Sequence, residues 1–206
     1  MASTVDLNIT SDFVLPSIVT GSLVDGSFFT FTGICALVSA QPPPNFKVTK
    51  ASMAEFLTLN RQSVSLVVLQ FPAVTTNPPH IHPRSVELLF LVDESLEVGF
   101  VDTTNKLFNQ TLQAGDMFVF PKGLFHFQYN ADAQKQAIAF SAFGSANAGT
   151  VSLPMTLFTT SIDDMILAKA FKTDVATIQA LKAGLAPKPY SSIDLKEKER
   201  YKQLVS

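Results

Sequence analysis

The sequence predicts an all-β sandwich or barrel followed by a short helical segment. Three observations carry this. Between Phe46 and Phe158 the chain is a succession of short runs rich in Val, Leu, Phe and Thr, broken by Gly, Pro, Asn and Asp. That is the punctuation of many short strands at regular spacing. After Thr160 the rhythm changes to a helical one behind Ser161-Ile162-Asp163-Asp164, a serine cap with acids in the first turn. Finally, 47% of the 206 residues are hydrophobic and only 16% charged, with 18 Phe and no Trp, which fits one sizeable, dry core.

The elements follow in order. Asp6 to Ser22 is polar with scattered apolar residues and reads as an extended arm laid over a core. Ser27 to Thr32 is aromatic and β-branched, hence a strand. Gln41-Pro42-Pro43-Pro44 is a loop, Phe46 to Lys50 an alternating strand, and Ser63 to Phe71 a central strand of β-formers. Glu87 to Val101 reads as a hairpin turning at Asp93-Glu94-Ser95. Leu107 to Leu112 and Met117 to Phe120 form the next pair, about Ala114-Gly115-Asp116. Phe127 to Tyr129, Ala137 to Phe143 and Val151 to Phe158 complete the β region. Met165 to Ala170 is a helix. A second starts at Thr173-Asp174-Val175, runs through Leu181 and stops at Ala183-Gly184. The expected organisation is a single domain over 1–206, with an arm (1–26), a β-barrel (27–160), a helical arm (161–184) and a charged tail (185–206).

Several classes are excluded by composition. A net charge of -2 argues against nucleic acid or an anionic membrane as partner. No apolar run approaches the ~20 residues of a membrane span. Met1-Ala2-Ser3-Thr4-Val5-Asp6 lacks the basic and apolar regions of a signal peptide, so the chain is either cytosolic or a mature form with a new start codon. Cys35 stands alone and forms no internal disulfide. Asn8-Ile9-Thr10 and Asn109-Gln110-Thr111 are glycosylation sequons.

All three histidines lie between Asn77 and Asn130. His80 and His82, at i and i+2 of an extended segment, point to one face and can grip one ion together. Glu87 has the opposite parity, so the Pro83–Ser85 corner must re-phase the chain to bring it inward. The turn Pro121-Lys122-Gly123 delivers His126 to the same place. Three imidazoles and a carboxylate suit a transition metal with open positions, and the residues alone do not choose between manganese, iron and zinc. Asn77, three residues before His80, either hydrogen-bonds a metal-bound water or substrate or caps the Pro78-Pro79 corner. Arg84 is expected at the surface or an interface. Some of Phe118, Phe120, Phe125 and Phe127 are expected to line an apolar pocket.

The spacing H-x-H-x4-E followed by G-x5-P-x-G-x2-H-x3-N also carries a resemblance. His80, His82 and Glu87, then Gly115, Pro121, Gly123, His126 and Asn130, resemble the two signature motifs of the cupins, specifically of plant germin-like proteins. The likeness runs from about Ser11 to about Pro189 and includes Asp25 to Gly33 and Asp116 to Pro121. Val74 and Glu94 depart from it, standing where the family has glycines, and the family's N-terminal cysteine pair is missing.

The resemblance implies a jelly-roll β-barrel, manganese at the four ligands, and a trimer or hexamer clasped by the helical arms. It also implies secretion to the plant cell wall, where Asn8 and Asn109 are available for glycosylation. The activities it implies are oxalate oxidase for true germins and superoxide dismutase for several germin-like proteins. Aligned through Phe71, Val67 occupies the position at which the oxalate oxidases place an asparagine. The expectation is a manganese-dependent protein of superoxide dismutase type acting on a small molecule, and not an efficient oxalate oxidase. Alternatives are a non-catalytic oligomeric cell-wall or defence protein, and a cupin enzyme acting on an apolar metabolite.

Overall fold

Residues 13–15, 24–37 and 41–186 are described by the computed structural model. Ten strands form between Lys47 and Ser152: β1 (Lys47–Ala51), β2 (Ser65–Phe71), β3 (Thr76–Ile81), β4 (Glu87–Asp93), β5 (Ser95–Val101), β6 (Leu107–Gln113), β7 (Met117–Phe120), β8 (Phe125–Tyr129), β9 (Ala137–Phe143) and β10 (Val151–Ser152). They build two antiparallel five-stranded sheets, ordered β1-β2-β9-β4-β7 and β10-β3-β8-β5-β6. The predicted all-β jelly-roll is thus present, as a sandwich whose sheets are not closed into a barrel.

Alternation sets the inner faces. Along β4, Glu87, Leu89 and Leu91 are buried while Leu88, Phe90 and Val92 are exposed, the period-two pattern of a half-buried strand. Leu89 and Leu91 meet Phe71, Leu96, Val98 and Phe120 in a core drawn from both sheets. Each such side chain contributes about 1.5–3 kcal/mol by leaving water.

The sheet assignments correct four expectations. β4 and β5 abut at Glu94 but pair with different partners, β4 with β7 and β9, β5 with β6 and β8. The expected hairpin is therefore a crossing between sheets, and the real one is β5–β6. β6 and β7 likewise fall in separate sheets. Ser27–Thr32 is a turn, because the Asp25 carboxylate accepts from the Ser27 amide and hydroxyl at 2.8 and 2.6 Å and so competes with sheet pairing. Finally, Val151 to Phe158 is a strand for two residues only. Pro154 cannot donate to a ladder but suits the first turn of a helix, and α1 (Leu153–Phe158) begins there.

The chain divides into two compact units, Met1–Leu153 and Pro154–Ser206. In the second, α2 (Asp164–Phe171) and α3 (Val175–Leu185) bury Leu167, Ala168 and Ile178 against Leu157, Phe158, Ile162 and Val175. The cap of α2 is Asp163 rather than Ser161, its carboxylate accepting from the Met165 and Ile166 amides. Gly184 lies inside α3 and does not stop it. The 187–206 tail, the Asn8 sequon and most of the N-terminal arm lie outside the described residues. No helix among the described residues is long and apolar enough to cross a membrane.

The two departures from glycine carry strain. Val74, between β2 and β3, has φ 55, and Glu94 has φ 63. A β-branched residue in the left-handed region is a true outlier, at about 1–2 kcal/mol. Val74→Gly removes that strain while adding roughly 0.5–1 kcal/mol of chain entropy to be lost on folding. The expected result is a melting temperature higher by up to about 4 °C. Glu94 is compensated: Lys135 Nζ lies 2.9 and 3.1 Å from its two carboxylate oxygens. Glu94→Gly should therefore change the melting temperature less than Val74→Gly does, and the reverse ranking contradicts this account.

Candidate metal centre

The two sheets present four ligating groups to one point between them. His80 lies on β3 and His126 on β8, directly opposite each other in register, with ring centroids 4.1 Å apart. His82 follows the end of β3. Glu87 opens β4 in the other sheet, paired with Phe120 and Phe143. The Pro83–Ser85 corner therefore carries the chain from one sheet to the other, and Glu87 faces the histidines from across the sandwich. Its parity within the β3 strand is irrelevant. The four ligand atoms lie within 4.8 Å of one another, and all four residues are buried.

Each ring is oriented by its far nitrogen. His80 Nδ1 meets the Pro78 carbonyl at 2.8 Å, His126 Nδ1 the Leu124 carbonyl at 2.9 Å, and His82 Nδ1 the Gly149 carbonyl at 2.5 Å. A carbonyl only accepts, so each Nδ1 carries a proton and each Nε2 is turned toward the centre. Glu87 Oε1 accepts from the Ser141 hydroxyl at 2.6 Å, while Oε2 stands 3.1 Å from both His82 Nε2 and His126 Nε2. Phe120 stacks on His126 at 4.6 Å and Phe143 meets His82 edge-on at 4.7 Å. Three imidazoles and one carboxylate, gathered before any ion arrives, fit a divalent or trivalent transition metal.

Electrostatics act on His80 and Glu87 in particular. Burial, and then the neighbouring His126 ring, push the His80 pKa down to about 4. Burial by itself raises that of Glu87, but hydrogen bonds and charge from His126 and His82 outweigh it and hold the carboxyl down to about 2. The unfolded chain takes up protons at these groups near their ordinary values of 6.5 and 4.5. Between those values and the folded ones, the unfolded state binds more protons, so stability falls as pH falls. The metal-free chain is expected to lose melting temperature from about pH 6.5 toward 4, and further below 4.5 as Glu87 responds. Thermal melts across this range test it, and a flat profile contradicts it.

A cavity of about 200 Å³ opens on His80, His82 and Glu87. Val67 and Leu69 of β2, Phe143 and Ala148 supply apolar wall, and Asn77 reaches it from β3. Asn77 Nδ2 lies 3.4 Å from His80 Nε2 and donates at 2.8 Å to Gln128 Oε1. Gln128 is fully buried, and its Nε2 has no hydrogen-bond partner among the described residues. It sits two residues after His126 on β8, a spacing that could have singled it out beforehand. Ser141 and Gly149 carried no local signal, because their roles depend on register across the fold.

The other named residues are placed differently. Phe120 is core, Phe118 is half-buried against it and Phe125 is exposed; none of these, nor Phe127, lines the cavity. Asn109 is exposed on β6. Arg84 is exposed as expected, yet it hydrogen-bonds the loop that carries Gly149.

Comparison with known proteins agrees with this geometry. Residues 40–179 match the family described as Cupin. A rice protein, germin-like protein 9-3, is 60% identical over 187 residues, covering 88% of this chain and 87% of its own length. Germin-like protein subfamily 2 member 4 of Arabidopsis thaliana is 39% identical over 169 residues, covering 81% and 77%. A recombinant oxalate oxidase solved in complex with glycolate superposes with a TM-score of 0.78 at 30% identity, covering 88% of this chain and 98% of its own.

Proposed function

The chain belongs to the germin-like proteins of the cupin family, and from that premise we propose that it is a secreted manganese protein with superoxide dismutase-type activity. The observation that carries the proposal is the buried group of His80, His82, Glu87 and His126, with every Nε2 aimed inward and a cavity opening onto it. Bound there, manganese supplies a one-electron couple and open coordination positions. The chain's part is to hold three imidazoles with Nε2 inward, to fix Glu87 through Ser141, and to present Asn77, braced by Gln128, to a small ligand or water. Net dismutation converts two superoxide ions and two protons to dioxygen and peroxide. It needs little substrate recognition beyond access, which suits a wall of Val67, Leu69 and Phe143.

Purified protein assayed with and without chelator tests this. Dismutase activity that disappears on chelation and returns with manganese supports it, and a manganese-loaded protein without activity contradicts it. The same apolar wall favours a second reading, an enzyme acting on an apolar metabolite at this metal. Self-association is also proposed, as a trimer or a hexamer. Met165, Ile166, Phe171 and Leu181 leave large apolar side chains exposed on short helices, which are marginal when isolated. Truncation after Thr160 is expected to yield aggregate or unstable monomer, and a well-behaved monomer contradicts that role. Secretion is supported by the exposed Asn109 sequon; an endoglycosidase mass shift in protein from its source checks it.

A further inference from the structure

His82 differs from the other two histidines in how it is held. His80 and His126 donate through Nδ1 to carbonyls two residues earlier, at Pro78 and Leu124, so each ring is set by its own stretch of chain. The carbonyl facing His82 Nδ1 belongs to Gly149, 67 residues away in the connection between β9 and β10. A ligand oriented from so far is only as well placed as the loop that orients it.

Arg84 ties that loop down. Its guanidinium donates to a single residue through two nitrogens, Nε to the Asn147 carbonyl at 2.7 Å and Nη2 to Asn147 Oδ1 at 2.9 Å. Its backbone amide donates to the Ala148 carbonyl at 3.2 Å. The guanidinium also packs against Gly149, where a Cβ would sit 2.5 Å from Nη2 and 2.8 Å from Cζ. Gly149 has φ 68, in the left-handed region that glycine tolerates. Residues 82–84 and 147–149 are thus joined by four hydrogen bonds, of which the planar fork of arginine supplies two. Lysine has the charge but not the fork.

We propose that Arg84 is a positioning residue for the metal centre: by fixing Asn147–Gly149 it holds the carbonyl that sets the His82 ring. The same loop places Asn147, Ala148 and Thr150 on the cavity wall, so Arg84 also shapes what reaches the ion. This rests on the assignment of His82 as a ligand.

The test uses the full chain loaded with zinc, a diamagnetic probe, and the variants Arg84→Lys and Asn147→Ala. Nitrogen-edited NMR of the wild type is expected to show three slowly exchanging imidazole Nδ1–H signals. Arg84→Lys is expected to broaden or lose the His82 signal alone, leaving those of His80 and His126, and to release zinc to a chelator about tenfold faster. Asn147→Ala, which keeps the carbonyl bond, is expected to have a smaller effect in the same direction and serves if Arg84→Lys fails to fold. Unchanged release and three intact signals overturn the proposal, as does a uniform weakening of all three, which marks general loosening. A wild type that binds no zinc overturns the ligand assignment itself, and this inference with it.

Discussion

Replacing His126 with alanine is expected to strip the chain of bound metal and lower its melting temperature together. His126 sits on β8 between β3 and β5, its ring buried to 2% exposure and stacked on Phe120. Truncation removes one of the three inward-facing Nε2 atoms and one of the two histidine partners of Glu87 Oε2. Affinity should fall at least a hundredfold, since a buried carboxylate is left short of a partner as well as an ion short of a ligand. The loss appears twice in stability. Removing a large buried ring costs about 3–5 kcal/mol in general. The stabilisation from an ion at a thousand times its Kd, about 4 kcal/mol, also disappears. Metal analysis and thermal melts of the variant, with and without added manganese, separate the two. Full metal content in His126→Ala contradicts the assignment.

Oxalate is expected to be a poor substrate, and Val67→Asn is expected to improve it by one to two orders of magnitude. Val67 lies on β2 opposite Ser141, is 8% exposed and forms part of the cavity wall. A dianion bound beside the ion must exchange its hydration for protein donors. This cavity offers the Asn77 side chain, itself hydrogen-bonded to Gln128, with valine where a further amide would stand. A hydrogen bond to a charged group contributes about 1.5–3 kcal/mol, which sets the size of the gain. The measurement is peroxide produced from oxalate by manganese-loaded protein at mildly acidic pH, kept above the value of about 4 to which burial pushes His80, so that this ring stays unprotonated. Robust wild-type turnover contradicts the proposal. Absent turnover that returns in Val67→Asn identifies the cause.

Much of this candidate centre was legible in the sequence because the candidate ligands stand out by type and spacing. All three histidines of the chain and Glu87 meet at one point, and strands such as Ala137–Phe143 lie where β-forming runs place them. Connectivity was not legible. Neighbouring strands read naturally as hairpins, yet β4 and β5 go to opposite sheets, and only the long-range ladders with β9 and β8 decide that. The same limit hid Ser141, Gly149 and the clamp by Arg84, all partners across many tens of residues. Ser27–Thr32 failed for a local reason, since its β-forming side chains lost to the Asp25 carboxylate. Glu94 combined both limits: the departure from glycine was visible, but the Lys135 partner and the sheet crossing were not.

One ion held by these four side chains, through these particular atoms, should be visible in an anomalous difference map from crystals of the manganese-loaded chain, recorded above the manganese edge. One peak per chain is expected, in coordination contact with Nε2 of His80, His82 and His126 and with Oε2 of Glu87. A peak elsewhere, coordination through Nδ1, or no peak in protein shown to retain manganese would contradict it.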